Sequence, residues 1–252
     1  MNMSENKQRM GFRIYKDIPR PTPDLLERLN KFTVPELCDG MDVFRAMDYQ
    51  IKPMVTTQKI IGPAVTLQLL LGDSLIVPKA LEVAQPGDII VIDAKGSCNN
   101  GVWGDNRSRV AKAIGLGGVV IDGAFRDIEE NEALGFPIYA RANACGRSTR
   151  GAKGEVNVPI SCGGVSVRPG DIIVGDRNGV VVIPLEHAEE IIQAAQEQVD
   201  KMEAQIAKFE ATGPDRPGQP GKGIEKIRLL KAEKNQSKKT KPPVQGAQVV
   251  LF

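Results

Sequence analysis

Aromatic side chains make up only 4% of this 252-residue sequence, too few for a base-stacking surface. Histidine is scarcer still. The single one, His187, follows Glu186 at the start of a helix-like stretch and reads as a solvated side chain. Its isolation excludes most mechanisms built on a Ser-His or Cys-His pair. The four cysteines, Cys38, Cys98, Cys145 and Cys162, form no CxxC pair and have no His-linked spacing. That excludes a structural zinc site and predicts reduced, structural thiols. Long apolar runs are missing too: Val119–Ile121 and Val180–Pro184 are far too short to cross a bilayer. Met1–Lys16 lacks the apolar stretch of a secretory signal, so the expected compartment is the cytoplasm. An excess of one charge is likewise absent. With 33 basic and 31 acidic residues the net charge is +2, which gives no electrostatic footprint for nucleic acid.

What is present is material for a core: 41% of residues are hydrophobic. Residues 1–21 read as a polar arm, 22–213 as one domain and 214–252 as a tail, either disordered or docking its apolar end, Val249–Phe252, on a neighbour. Thr22–Leu29 reads as a helix capped by Thr22, and Thr33–Met41 as a second with Thr33 and Glu36 in a capping box. Ala64–Leu71 is strand-like, and Asp73–Val83 is a helix interrupted near Pro78. A strand at Ile89–Asp93, a helix over Gly104–Gly115 and a buried strand at Gly118–Asp122 follow. Asp127–Leu134 is helical, and Pro137–Ala140 is a short strand. Then come strands at Val156–Ile160, Val165–Val167, Ile172–Gly175 and Val180–Pro184. Pro169–Val174 repeats Pro86–Val91 as Pro-Gly-Asp-Ile-Ile-Val, which predicts two similar turn-strand units in one β-rich core. Glu186–Thr212 is a long helix with an apolar stripe through Ile191, Ile192, Ala195, Val199, Met202 and Ile206.

The chemistry concentrates between Gly101 and Asp127. Arg126 and Asp127 follow a buried strand, at the carboxyl end where α/β sheets bind ligands. Asp105 opens the preceding helix just after Gly104, and the N–H groups of Asn106 and Arg107 are available there to an anion. Asp127 can ligate a hard cation, with Asp105 holding one of that cation's waters. Arg126 supplies a planar fork for a carboxylate or an enolate. Together these suit a 2-oxo acid. The same residues also fit a turn ion pair and a helix cap.

The segment resembles a family of 4-hydroxy-4-methyl-2-oxoglutarate and 4-carboxy-4-hydroxy-2-oxoadipate aldolases that also contains the RraA regulators of ribonuclease activity. The aldolase pattern is Asp, twenty intervening residues, then Arg-Asp, and Asp105 with Arg126-Asp127 matches it. The likeness spans roughly residues 30–213. It includes Gly62–Thr66, Gln85–Asp88, Leu134–Pro137, Gly154–Pro159, Gly163-Gly164, Val167–Asp171, Gly175-Asp176 and Gly179–Pro184. It implies an α/β fold of the swivelling β/β/α three-layer type, assembled as a homotrimer or homohexamer. It also implies sites between protomers, each completed by a Glu from a neighbour's C-terminal helix: Glu203, or failing that Glu197.

What the resemblance implies is a metal-dependent (class II) aldolase using Mg²⁺ or Mn²⁺ held by Asp127. It would cleave a 4-hydroxy-2-oxo diacid to pyruvate and a 2-oxo acid, with oxaloacetate decarboxylation as a side activity. Arg126, Asp105 and Glu203 are the catalytic candidates; Gly104, Asn106, Arg107 and Arg126 are the substrate-binding ones. Two departures from the pattern bear on specificity: Pro78 where many relatives have His, and the polar Asn106–Arg109. The competing readings are a protein-binding ribonuclease regulator without catalysis, and a Schiff-base aldolase using Lys95 or Lys112. A methyltransferase reading has no strand-linked glycine-rich loop to hold its nucleoside.

Overall fold

The computed structural model of the chain describes residues 10–42, 44–151 and 153–212, which divide between two units at Lys201 and Met202. The readings made for residues 214–252 lie outside the described residues. The first two helices follow from their caps. Thr22 accepts a hydrogen bond from the Leu25 N–H (3.3 Å) and opens α1, Pro23–Leu29. At α2, Val34–Gly40, the Thr33 hydroxyl accepts from the Glu36 N–H (3.4 Å) while the Glu36 carboxylate accepts from the Thr33 N–H (2.7 Å). This closes the expected capping box.

The fold is mixed α/β. Its strands are β1 (Lys52–Pro53), β2 (Ile60–Leu69), β3 (Ile89–Gly101), β4 (Gly118–Phe125) and β5 (Ile138–Asn143). Then come β6 (Gly154–Val156), β7 (Ile160–Cys162), β8 (Val165–Val167), β9 (Ile172–Asp176) and β10 (Gly179–Ile183). Eight of them form one sheet in the order β1-β5-β4-β3-β2-β9-β10, with β6 also on β2; β7 and β8 pair with each other. The β2-β3-β4-β5 portion is parallel. Its crossovers carry α3 (Val77–Val83), α4 (Asp105–Ile114) and α5 (Ile128–Leu134), as parallel connections require.

Alternation along these buried strands sorts residues between two cores. Val65, Leu67, Ile90, Ile92, Val119, Ile121 and Ile138 join the core that includes Ala80 and Leu81 of α3 and Ala111 of α4. Ala64, Ile89, Val91, Val120 and Tyr139 face the β7, β8 and β10 side. A third cluster packs Leu29, Leu37, Ile191 and Ala195 against Ile172, Val174 and Val181. Each neighbour in a strand belongs to the opposite face, as the two-residue period of a strand dictates.

Several boundaries differ from the sequence reading. Pro78 does not interrupt a helix; it sits in the first turn of α3, where its missing N–H costs nothing. β3 runs eight residues past Asp93 to Gly101, through the polar Lys95–Asn100, with register shifts against β4. β4 likewise continues to Phe125. The predicted strand Val156–Ile160 is two strands, β6 and β7, because Asn157 takes a left-handed φ of 57° between them. The Pro-Gly-Asp echo is structural. Gly87 (φ 86°) and Gly170 (φ 88°) make equivalent turns. Asp88 accepts from the Gln85 N–H and Asp171 from the Arg168 N–H, each at 2.8 Å.

Residues 11–15 of the amino-terminal arm lie along β6: Val156 N–H donates to Arg13 O (2.9 Å) and Tyr15 N–H to Val156 O (3.2 Å). Glu155 fixes the arm by accepting from the Gly11 N–H (2.6 Å) and from Arg13 in a two-point ion pair, both bonds 2.7 Å. At the carboxyl side a single 3-10 turn, Leu185–His187, leads into α6, Ala188–Thr212. The predicted stripe on α6 is not buried throughout. Ile191 and Ala195 are buried, whereas Met202 and Ile206 are exposed.

Candidate active site

The carboxyl ends of β3 and β4 diverge where α4 and α5 begin, and the candidate residues gather there. Arg126 and Asp127 occupy the two positions after β4, and Asp127 is the residue before α5. Asp127 adopts a left-handed backbone (φ 61°, ψ 55°) and makes no side-chain cap bond. Its carboxylate is therefore not consumed as a helix cap. The turn is held from below by Asn131, fully buried, whose side-chain amide donates to Arg126 O (3.0 Å) and Asp127 O (2.6 Å). Two carbonyl acceptors fix which end of that amide is the nitrogen. An unfavourable left-handed aspartate clamped by buried hydrogen bonds is the kind of strain that clusters at functional sites.

Asp105, the first residue of α4, lies against this turn. Its N–H points at Asp127 Oδ2 (3.4 Å), and the same oxygen accepts from Arg126 Nε (3.2 Å). The Asp105 carboxylate pairs with Arg109 one turn on (3.2 Å). Gly104 is required by closeness, not by backbone angle. Its φ of −156° is open to any residue, but a Cβ there would fall 2.5 Å from Asp127 Oδ2. Of the two N–H groups expected to face an anion, that of Arg107 is taken by Gly104 O (3.1 Å). The N–H of Asn106 has no partner among the described residues. Arg107 instead turns its side chain inward, donating to Val102 O, Ser74 O (3.2 Å) and Ser74 Oγ (2.9 Å). Burial, reinforced by the positive charges of Arg150 and Arg126, lowers its pKa to about 10. It remains charged at neutral pH.

These groups line a cavity of about 110 Å³ together with Gly101, Trp103, Arg147, Ser148 and Arg150. Trp103 is fully buried; it stacks on Phe136 (6.3 Å between centroids) and donates to Ser108 Oγ (2.8 Å). Four guanidiniums meet two carboxylates in the lining, a surplus of two positive charges. Such a cavity selects anions. Arg147, Ser148 and Arg150 were not found from the sequence. The signal available was a pair of arginines in a loop after a parallel strand, at the end of the sheet where ligands bind. A second, more apolar cleft of about 470 Å³, lined by Leu75, Pro78, Leu81 and Val110, shares Asn106, Arg107 and Arg150 with the first. Pro78 thus borders the site without lining the charged cavity.

The other candidates stand apart. Lys95 pairs with Asp93 (2.5 Å) and Lys112 donates to Leu134 O (2.7 Å); neither lines the cavity. His187 is exposed beside Glu190 (3.0 Å). The four thiols are unpaired. Glu197 and Glu203 are exposed on α6, Glu203 in the second unit. Among the described residues no three His, Cys, Asp or Glu side chains are grouped as a metal cage, and no helix is long and apolar enough to cross a membrane. The donors at hand, Asp127 and Asp105, are hard oxygens, and both line the charged cavity. This set fits Mg²⁺ or Mn²⁺, ions bound through one or two carboxylates plus waters and an anionic ligand.

Comparison with known proteins follows the same residues. The family model described as RraA-like (Aldolase/RraA) matches residues 34–182. A Halalkalibacterium halodurans protein provisionally named a 4-hydroxy-4-methyl-2-oxoglutarate aldolase is 46% identical over 168 residues, covering 66% of this chain and 80% of that protein. A Thermus thermophilus protein named 4-hydroxy-4-methyl-2-oxoglutarate aldolase is 36% identical over 112 residues, covering 44% and 68%. Among solved structures, Streptomyces coelicolor RraAS2, described as an unusual member of the RNase ES inhibitor RraA family, superposes with a TM-score of 0.67. It is 30% identical and the match covers 78% of this chain and all of that one.

Proposed function

This chain belongs to the RraA-like aldolase family, and from that premise we propose that it is a divalent-metal-dependent aldolase releasing pyruvate from a 4-hydroxy-2-oxo diacid. The substrate is of the 4-hydroxy-4-methyl-2-oxoglutarate type. The observation that carries this reading is the convergence of Asp105, Arg126 and Asp127 on one cationic cavity although the two aspartates lie 22 positions apart in the sequence.

Asp127 would hold the ion, and Asp105 would hold one of its waters. When bound, the ion supplies charge stabilisation for the 2-oxo acid as C3–C4 breaks. The chain's own groups do the rest. The Asn106 N–H at the start of α4 and the Arg107 guanidinium bind and orient the substrate carboxylate. Arg126 stabilises the negative charge that grows on the C2 oxygen. A carboxylate orients the water that takes the C4 hydroxyl proton, a role for Glu203 of a neighbouring protomer. Asp105 directs proton return to C3 of the pyruvate enolate. Buried Trp103, backed by Phe136, forms one wall of the cavity. Decarboxylation of oxaloacetate gives the same enolate, so it accompanies the main activity.

A screen of 4-hydroxy-2-oxo acids with and without EDTA tests the proposal. Pyruvate release that EDTA stops and Mg²⁺ or Mn²⁺ restores supports it. EDTA-resistant cleavage trapped by borohydride would assign the chemistry to a lysine instead. The alternative, ribonuclease regulation without catalysis, draws on the description of the Streptomyces relative. A masking surface has no need for the Asp105–Arg126–Asp127 convergence, and inhibition of a ribonuclease by a chain that turns over no oxo acid would favour it.

A further inference from the structure

We propose that Arg147 and Arg150 form a second anion subsite in the charged cavity, one that binds the far carboxylate of a 2-oxo diacid. The inference rests on the aldolase reading for the identity of the ligand and deepens it by assigning substrate class to two residues outside the Asp105–Asp127 segment. Its basis is an imbalance of charge that the protein leaves uncorrected. Of the two carboxylates in the lining, Asp127 is paired with Arg126 and Asp105 with Arg109. Arg107 is satisfied by neutral acceptors at Val102 and Ser74. Among the described residues, the guanidiniums of Arg147 and Arg150 make no hydrogen bond and no ion pair, yet both line the same cavity.

The segment that carries them is pinned at several points. Asn100 Nδ2 donates to Arg147 O and Gly101 N–H to Gly146 O, each at 2.8 Å. Buried Ser148 shares a 2.6 Å hydroxyl contact with Ser74, and the Ser74 N–H donates to Thr149 O (3.0 Å). Asp73 accepts from Thr149 Oγ1 (2.9 Å) and from the Gly151 N–H (2.8 Å). Two arginines are thus presented from a fixed backbone toward a cavity that already carries Arg126 and Arg107. The 2-oxo acid end of a ligand uses the latter pair. A second, separated carboxylate is the group that neutralises the remaining two forks, and guanidinium geometry suits a carboxylate.

Trp103, the only tryptophan of the chain, forms part of the cavity wall and reports binding by its fluorescence. The 252-residue protein is titrated in Mg²⁺ buffer with pyruvate and with 2-oxoglutarate, and the dissociation constants are confirmed by calorimetry. 2-Oxoglutarate should bind more tightly than pyruvate. The Arg147→Gln, Arg150→Gln double variant should weaken 2-oxoglutarate by about ten- to a hundredfold, the range for lost bonds to a charged group. Its pyruvate affinity should stay within about twofold, on the same reasoning. Equal affinity of the native protein for both acids, or equal weakening of both in the variant, would overturn the subsite. The titration involves no turnover. A protein that discriminates in this way but cleaves no aldol would therefore sink the aldolase reading and leave the subsite standing.

Discussion

Gly104 and Asp127 are packed so closely that a single methyl group on the first would collide with a carboxylate oxygen of the second, 2.5 Å from an added Cβ. Because Gly104 has an extended backbone that alanine adopts freely, Gly104→Ala introduces no backbone strain. The collision must be relieved by moving the Asp127 carboxylate. We expect Gly104→Ala to fold with a melting temperature near that of the native protein and to lose roughly a hundredfold in turnover, the scale of a 1 Å misplacement. A variant of native activity would show that Asp127 need not sit where it does.

Arg126→Lys keeps the charge and loses the fork. If the guanidinium binds the forming enolate more tightly than the ketone, the loss falls on kcat, because only differential binding accelerates chemistry. The expected cost is about 2.7–4 kcal/mol, a hundred- to a thousandfold in rate. Aldol cleavage and oxaloacetate decarboxylation should fall together. A rise in KM alone, with kcat near native, would make Arg126 a substrate-carboxylate anchor.

Much of this was legible in the sequence. The Thr33–Glu36 capping box and the paired Pro-Gly-Asp turns are local devices, and local devices can be read from a few residues. The approach of Asp105 to Asp127 was implied by a family resemblance and is made by the helix start meeting the strand end. What could not be read was set by distant partners. β3 extends through Lys95–Asn100 because β4 and the segment near Arg147 supply hydrogen bonds there, not because its polar residues favour strand. Arg147 and Arg150 reach the cavity through the bridges Gly101–Arg147 and Asp73–Thr149, which no periodicity announces. The Arg107 N–H was read as free because helix starts usually leave it so, yet Gly104 O takes it.

Met202 and Ile206, both exposed, flank Glu203 along α6. If this part of α6 packs on a neighbouring protomer and Glu203 completes that protomer's site, two inactive proteins can rescue each other. Arg126→Ala and Glu203→Ala, mixed, dissociated and reassembled, should regain part of the native activity. Mixed oligomers demonstrated by mass with no recovery would refute a shared site.

The arm offers a pH test. The Arg13 guanidinium beside Glu155 holds that carboxyl below its ordinary value near 4.5. A carboxyl with a depressed folded pKa contributes stability above its unfolded pKa and loses it as pH falls through the folded one. Protection of the Tyr15 amide against hydrogen exchange, corrected for intrinsic rate, should be full at neutral pH and fall on acidification below about 4.5. Glu155→Gln should lack that acid step. An unchanged profile in the variant would place the arm's anchor elsewhere.

The central claim is that Asp127 holds a divalent ion for pyruvate-forming cleavage. Its most direct test is the initial rate of pyruvate formation from 4-hydroxy-4-methyl-2-oxoglutarate, measured across a Mg²⁺ titration after EDTA treatment, for the native protein and Asp127→Asn. Asparagine tolerates the left-handed backbone found at that position, so the fold should survive the change. The account predicts saturable, metal-dependent turnover in the native protein and its loss in Asp127→Asn at all metal concentrations. Turnover that persists without metal, or an Asp127→Asn protein with the native metal response, would contradict it.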